Sequence, residues 1–201
     1  MLEAVFPNME HRRKKVGFFG GSFDPIHIGH LGLALAMRES CGFDEILFVP
    51  ARVSPFKQHQ SPQASEAQRL EMIQLALADL PCFSVWDGEL SRESPSYTID
   101  SITTLKKTFS GDLHLILEAS TAQTLPSWNE AAALMRLAPP FIGVSGVAPA
   151  SVLPGAAYIT IPRFEVSSTL VRGRLAQGLY CGHLLVGSVL DYICRNSLYT
   201  S

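Results

Sequence analysis

Two spacings of apolar residues alternate along the chain. Short stretches dominated by apolar residues, Val16–Phe19, Glu45–Val49, Cys82–Trp86, Leu113–Leu117, Pro140–Val144 and Tyr158–Ile161, have the length and character of buried strands. Segments of helical period run between them. Ile28–Cys41 is predicted as a helix closed by Gly42. Ser65 and Gln68 form a capping box that opens a second helix, with Leu70, Ile73, Leu77 and Leu80 at helical spacing. Thr98–Phe109 places Ile99, Ile102 and Leu105 on one face. Ser127 and Glu130 read as another capping box, for a helix ending near Leu137. Ser167 or Ser168 caps a helix that ends at Gly178, and Val186–Arg195 forms a terminal helix. Residues 51–64, polar and turn-rich, and 145–157, rich in Gly, Ala and Pro, read as loops.

Strands that alternate with helices, and that are apolar almost throughout, predict an α/β fold: a Rossmann-like, doubly wound parallel sheet of about five to six strands with helices on both faces. Ligands of such sheets bind beyond the carboxyl ends of the strands, where the strand order switches. The 201 residues fit one domain, read as residues 16–201, preceded by an extension over residues 1–15. That extension puts a basic run, His11–Lys15, ahead of apolar Val16–Phe19, the reverse of a signal peptide. With 47% hydrophobic and 17% charged residues, a disordered chain is excluded. A net charge of −2 removes the electrostatic case for binding nucleic acid. No apolar stretch reaches the ~20 residues of a membrane-spanning helix, so no membrane partner is expected. The four cysteines, Cys41, Cys82, Cys181 and Cys194, form neither a C-x-x-C pair nor a dense framework. Reduced thiols in a cytoplasmic protein are therefore expected, with no zinc site. The apolar content leaves room for a contact between identical subunits, a homo-oligomer.

Chemistry concentrates in the loop after the first predicted strand, Gly20-Gly21-Ser22-Phe23-Asp24-Pro25-Ile26-His27-Ile28-Gly29-His30. Neither G-x-G-x-x-G nor a Walker A loop is present. Gly20-Gly21 still lets the backbone approach a ligand without a side-chain clash. The helix start that follows offers N–H groups and the positive end of a dipole. His27 and His30, three residues apart, lie on one face of that first turn, and Gly29 between them leaves the face uncrowded. Two imidazoles there make a clamp for a phosphate whose charge grows in a transition state. The same spacing suits two surface histidines, or two ligands of a metal ion that lacks an evident third ligand.

The segment Gly20–Leu31 resembles the opening of the nucleotidyltransferase superfamily that carries the H-x-G-H motif. It is most similar to that of the nicotinate-nucleotide adenylyltransferases, G-G-[ST]-F-D-P-[IV]-H-x-G-H. Further segments resemble the same family in order: Ser54-Pro55-Phe56-Lys57 its P-P-H-K, Pro95–Ser101 its P-S-Y-T-x-D-T, and Leu125-Pro126-Ser127-Trp128 its L-P-x-W. Val166–Arg172 resembles its I-S-S-T-x-I-R, and Asp191-Tyr192-Ile193 its D-Y-I. The likeness covers nearly the whole chain after residue 15.

The resemblance implies transfer of AMP from ATP to nicotinate mononucleotide, giving nicotinate adenine dinucleotide and pyrophosphate, with Mg²⁺ on the ATP phosphates. No protein nucleophile is required; positioning and charge stabilisation supply the rate. It implies ATP contacts from Gly20, Gly21, Ser22, Phe23, His27, His30, Ser167, Ser168, Thr169 and Arg172. Contacts to the acceptor nucleotide come from Ser22, Lys57, Tyr97, Thr98 and Trp128. His27, His30, Lys57 and Arg172 are the catalytic group, with His30 at the α-phosphate. Ser167–Thr169 cap a helix and serve the β- and γ-phosphates, and Arg172 grips them through its planar fork. Trp128 stacks on the pyridine ring, the Tyr97–Thr98 region holds the nicotinate carboxylate, and Asp100 complements the helix dipole.

The chain departs from the family twice. Glu118-Ala119-Ser120 stands where the family has G-A-D, and Phe56 stands where it has the histidine of P-P-H-K. One alternative in the same class uses nicotinamide mononucleotide or another phosphate acceptor, such as phosphopantetheine. A second alternative, from another class, is a nucleotide-binding protein without turnover.

Overall fold

Alternate residues of the first strand bury on opposite sides of one sheet: Val16 and Phe18 join one core, Phe19 the other. The same alternation repeats where Ile116 turns away from Leu115 and Leu117. Both faces are thus covered, and the strands are accordingly apolar nearly throughout. The computed structural model describes residues 13–53, 61–92, 97–146 and 152–200.

Six strands, β1 (Lys15–Gly21), β2 (Glu45–Pro50), β3 (Phe83–Val85), β4 (Asp112–Glu118), β5 (Phe141–Val144) and β6 (Ala157–Thr160), form one sheet in the order β3-β2-β1-β4-β5-β6. Every neighbouring pair is parallel. The helices are α1 (Ile28–Cys41), α2 (Glu66–Leu77), α3 (Thr98–Thr108), α4 (Ala119–Ala122), α5 (Ala131–Leu137), α6 (Ser168–Ala176) and α7 (Gly187–Arg195). Leu33, Met37, Ile73, Val171 and Val189 carry α1, α2, α6 and α7 into one core; Ile102, Ala122 and Leu134 carry α3, α4 and α5 into the other. The doubly wound α/β architecture expected from the strand–helix alternation is the one observed. Strand order reverses between β1 and β4, so the crevice beyond their carboxyl ends is the place such a sheet offers a ligand.

Local chemistry explains most boundaries. Gly42 ends α1 in the left-handed region, at φ 64°, where a residue with a Cβ would be strained. The Ser65–Gln68 capping box closes as expected: Ser65 Oγ accepts from Gln68 N–H at 3.3 Å, and Gln68 Oε1 accepts from Ser65 N–H at 2.9 Å. The box expected at Ser127 and Glu130 does not form. Leu125–Ser127 make a 3₁₀ turn, the Ser127 hydroxyl donates to the Thr124 carbonyl, and α5 starts only after Glu130 at φ 50°. Pro126 early in that turn suits a helix start, which moves the local helical geometry ahead of the expected cap. Among the described residues the expected loops, 51–64 and 145–157, hold no helix or strand before Ala157.

One buried side chain fixes the loops that follow β1 and β2. Arg69, on α2, is fully buried, and its guanidinium donates to the carbonyls of Ser22 (2.7 Å), Ala51 (2.7 Å) and Arg52 (3.2 Å). Replacing it with a residue of similar length and no donors leaves three carbonyls without their partner. We expect Arg69→Met to lower the unfolding free energy by about 3 kcal/mol, read as a shift in urea midpoint. A loss below about 1 kcal/mol would show that these loops hold without it.

Candidate active site

The sheet's switch point opens into three adjoining cavities. The first, about 480 Å³, is lined by Gly20, Gly21, Ser22, Tyr97, Thr98, Ser120 and Trp128, with Glu89 among its walls. A smaller one of about 180 Å³ lies between the ends of β1 and β4, against Gly21, Ser22, Phe23, His30, Glu118 and Ser168. The third, about 540 Å³, is lined by Ser22, Asp24, His27, His30, Glu118, Ser167, Ser168, Thr169 and Arg172. Ser22 lines all three, so they form one continuous cleft across the end of the sheet.

The histidine pair stands at the start of α1. His27 is the N-cap, with extended backbone, and His30 sits in the first turn. Their rings stack at 3.6 Å between centroids and 17° between planes. His30 Nδ1 accepts the His27 N–H at 3.2 Å, which fixes the His30 ring. Phe23 supports that ring from its other side, edge to face at 5.0 Å, and packs against Phe19 and Phe48. Phe23 is itself only 1% exposed, so its part in the cleft is to hold His30. His27 is 4% exposed and its Nδ1 is buried without a hydrogen-bond partner. Burial drives its pKa down to about 4, so the imidazole is neutral at pH 7. Gly29 has a packing reason that the sequence did not show: a Cβ there would lie 2.7 Å from Val166 Cγ1 and 3.1 Å from His27 Nδ1. The glycine admits the chain leading into α6, not a ligand.

A second helix start meets the same cavity. Ser167 caps α6, accepting from Leu170 N–H at 3.1 Å. The Ser168 hydroxyl donates to the Pro25 carbonyl at 2.9 Å, so its proton is already spent within the protein. Thr169 Oγ1 accepts from Arg172 at 3.5 Å. Arg172 is held from behind, its Nη1 donating to the Asp24 carbonyl at 2.7 Å and lying 3.7 Å from the Asp24 carboxylate. Asp24 is 4% exposed and also accepts from Gln63 N–H, Ala64 N–H and the Tyr199 hydroxyl.

The far cavity presents a different surface. Tyr97 is the N-cap of α3 and Thr98 its first residue, so the start of that helix faces the cavity. Trp128 is half-buried at the end of the 3₁₀ turn, its indole N–H donating to Thr124 Oγ1 at 3.0 Å. Asp100 is exposed in the first turn of α3, where it complements the helix dipole. Glu118 and Ser120, the two departures at the end of β4, both border the cleft: Glu118 on the cavity of the histidines, Ser120 on that of Trp128. Lys57 and Phe56 lie outside the described residues, as do Pro95 and Ser96.

The site residues named from the sequence that are described here therefore line one cleft. Sequence reasoning missed four residues that hold it: Asp24, Arg69, Glu89 and Tyr199. Arg69 had a local signal. It is spaced with Met72, Ile73 and Ala76 as one helical face, which is the buried one. Glu89 is buried and accepts from Ser101 on α3, and its carboxyl pKa is raised by burial.

A family model described as cytidylyltransferase-like matches residues 18–174. The nicotinate-nucleotide adenylyltransferase of Bacillus subtilis (strain 168) is 37% identical over 191 residues, spanning 94% of this chain and 100% of that protein. The fold is similar to that of the Plasmodium falciparum nicotinic acid mononucleotide adenylyltransferase complexed with NaAD, at a TM-score of 0.75, 21% identity and coverage of 92% of this chain and 97% of that one. The same enzyme complexed with APC gives a TM-score of 0.74 at 20% identity, with the same coverage.

The buried, neutral His27 has a consequence for stability. Its folded pKa of about 4 lies below the ordinary 6.5, so below pH 6.5 the unfolded chain takes up a proton that the folded chain refuses. The neutral ring's contribution is complete above pH 6.5 and is lost as the pH falls toward 4. The loss amounts to about 3 kcal/mol. Urea unfolding at several pH values should therefore show a shallower decline between pH 6.5 and 4 for His27→Asn than for the wild type. Parallel declines would mean that His27 is not held neutral.

Proposed function

The chain belongs to the cytidylyltransferase-like family and, within it, to the nicotinate-nucleotide adenylyltransferases, and we propose that it transfers AMP from ATP to nicotinate mononucleotide. The products are nicotinate adenine dinucleotide and pyrophosphate, and the reaction is a step of NAD biosynthesis. The observation that carries this reading is the continuous cleft with two unlike ends. One end pairs a half-buried indole with the start of α3, suited to a pyridine ring and its carboxylate. The other gathers the two histidines, the start of α6 and Arg172, suited to a triphosphate. The ends meet at Ser22 and His30, where an acceptor phosphate and the α-phosphate would lie side by side.

In the reaction an oxygen of the acceptor phosphate forms a bond to the α-phosphorus of ATP. The bond from that phosphorus to the α,β-bridging oxygen breaks, and pyrophosphate leaves with the electron pair. His30, fixed by the His27 N–H and by the Phe23 ring, stabilises charge on the α-phosphate oxygens. Arg172, oriented by Asp24, binds the leaving phosphates through charge-assisted hydrogen bonds. Ser22, Tyr97, Thr98 and Trp128 hold the acceptor, with Lys57 assigned to the phosphates by its motif. Mg²⁺ bound to the ATP phosphates would neutralise part of their charge. Such an ion keeps several waters and is held through the phosphates themselves, so it asks for no all-protein cage. We propose a cytoplasmic location from the wide spacing of the four cysteines, which suits reduced thiols; among the described residues no helix is long and apolar enough to cross a membrane.

Purified protein with ATP and Mg²⁺, offered nicotinate mononucleotide and nicotinamide mononucleotide in separate reactions, tests the assignment. Dinucleotide should form from the acid and far less from the amide. A folded protein that binds ATP and yields product from neither would overturn the proposal. In the same assay His30→Ala should lower kcat at least ~10²-fold with the fold intact, since it removes a transition-state contact. Near-normal turnover would remove His30 from the mechanism.

A further inference from the structure

We propose that Tyr199, in the turn that follows α7, is a positioning residue for triphosphate binding, acting on Arg172 through the Asp24 carboxylate. The inference rests on the reading that the cavity of the two histidines takes the phosphates of ATP.

Tyr199 is 7% exposed, and its hydroxyl donates to Asp24 Oδ1 at 2.7 Å, across 175 positions of sequence. Ser197 and Tyr199 both lie in the left-handed region, at φ 50° and φ 60°, a conformation that disfavours residues with a Cβ. Burial and the neighbouring Asp24 charge raise the pKa of the phenol, so it stays a donor across the working pH range.

The effect on Arg172 follows from the number of donors on Asp24. Oδ1 accepts from Ala64 N–H at 3.1 Å and from Tyr199, and Oδ2 accepts from Gln63 N–H at 2.9 Å. Arg172 Nη1 lies 3.7 Å from Oδ2 and makes its short bond, 2.7 Å, to the Asp24 carbonyl instead. The carboxylate thus takes its hydrogen bonds from neutral donors, with the buried Arg69 charge nearby, and does not close on the Arg172 guanidinium. Arg172 is oriented by Asp24, yet a quarter of its side chain stays exposed and it lines the phosphate cavity. Without the phenol, Oδ1 loses a donor. The carboxylate then draws Arg172 into a tighter pair and away from the cavity.

The test is affinity for a non-hydrolysable ATP analogue, measured by calorimetry, together with KM values for ATP and acceptor. Tyr199→Phe keeps the ring and removes the hydroxyl. Its Kd for the analogue should rise about 5-fold, the worth of one net hydrogen bond. KM for ATP should rise in parallel, with KM for the acceptor nucleotide unchanged. In an Arg172→Ala background, Tyr199→Phe should add nothing further to Kd. A purely structural tyrosine would leave Kd as it is, whatever its effect on the melting temperature, or shift Kd equally in both backgrounds, and either result overturns the proposal. Should Tyr199→Phe not fold, 3-fluorotyrosine at this position keeps the shape and sharpens the donor. Analogue binding tighter than wild type supports the proposal, and unchanged or weaker binding overturns it. Wild-type protein that binds no analogue would overturn the underlying reading and this inference together. Wild-type binding with an unaffected Tyr199→Phe overturns the inference alone.

Discussion

A buried carboxylate must be surrounded by donors, and around Asp24 that requirement gathers the parts of the chain that shape the cleft. Its oxygens are met by backbone N–H groups of Gln63 and Ala64, by the Tyr199 hydroxyl and, at longer range, by Arg172 of α6. Those partners come from the lead into α2, the turn after α7 and the helix that faces the cavity of the two histidines. Taking away one donor leaves that buried charge short of a partner in a site only 4% exposed, which costs stability. Arg69 does the matching work with opposite sign, giving its guanidinium protons to three loop carbonyls at the ends of β1 and β2. The loop between β1 and α1 is therefore pinned from both sides before any ligand arrives.

Pinning matters because the proposed chemistry asks for position and charge rather than for a nucleophile. The stacked histidines illustrate how the fold meets that demand. Two imidazolium rings 3.6 Å apart would repel, and burial keeps the His27 ring neutral. His27 then serves as a neutral backing that donates its backbone N–H to His30. Phe23 completes the support from the opposite edge, at the expense of a left-handed backbone, φ 47°. Glu118 brings a carboxylate to the edge of the same cavity, where the family pattern has a glycine. It is exposed, so salt and solvent screen its repulsion of a triphosphate.

The layered fold was legible because each signal was local. Apolar runs gave the strands to within one or two residues, Gly42 gave the end of α1, and Ser65 with Gln68 gave the start of α2. The Ser127–Glu130 pair carried the same signature and failed, because a 3₁₀ turn led by Pro126 claimed the Ser127 hydroxyl. Within the site, the H-x-G-H segment and the start of α6 were readable as anion-binding helix ends. What holds them was not. Asp24 meets Tyr199 across 175 positions and Arg172 across 148, and no periodicity reports such a pairing. Nor does spacing reveal that His27 is buried and neutral, since both follow from the packing of α1 against the end of the sheet.

The central claim is that this cleft aligns two nucleotides for a single displacement at the α-phosphorus. Its most direct test is the stereochemical course with ATP bearing one diastereomer of an α-thiophosphate and nicotinate mononucleotide as acceptor. Direct in-line attack, held by the histidines and Arg172, gives dinucleotide with inverted configuration at phosphorus. Retention would mean two successive displacements through an adenylylated protein group and would contradict the account.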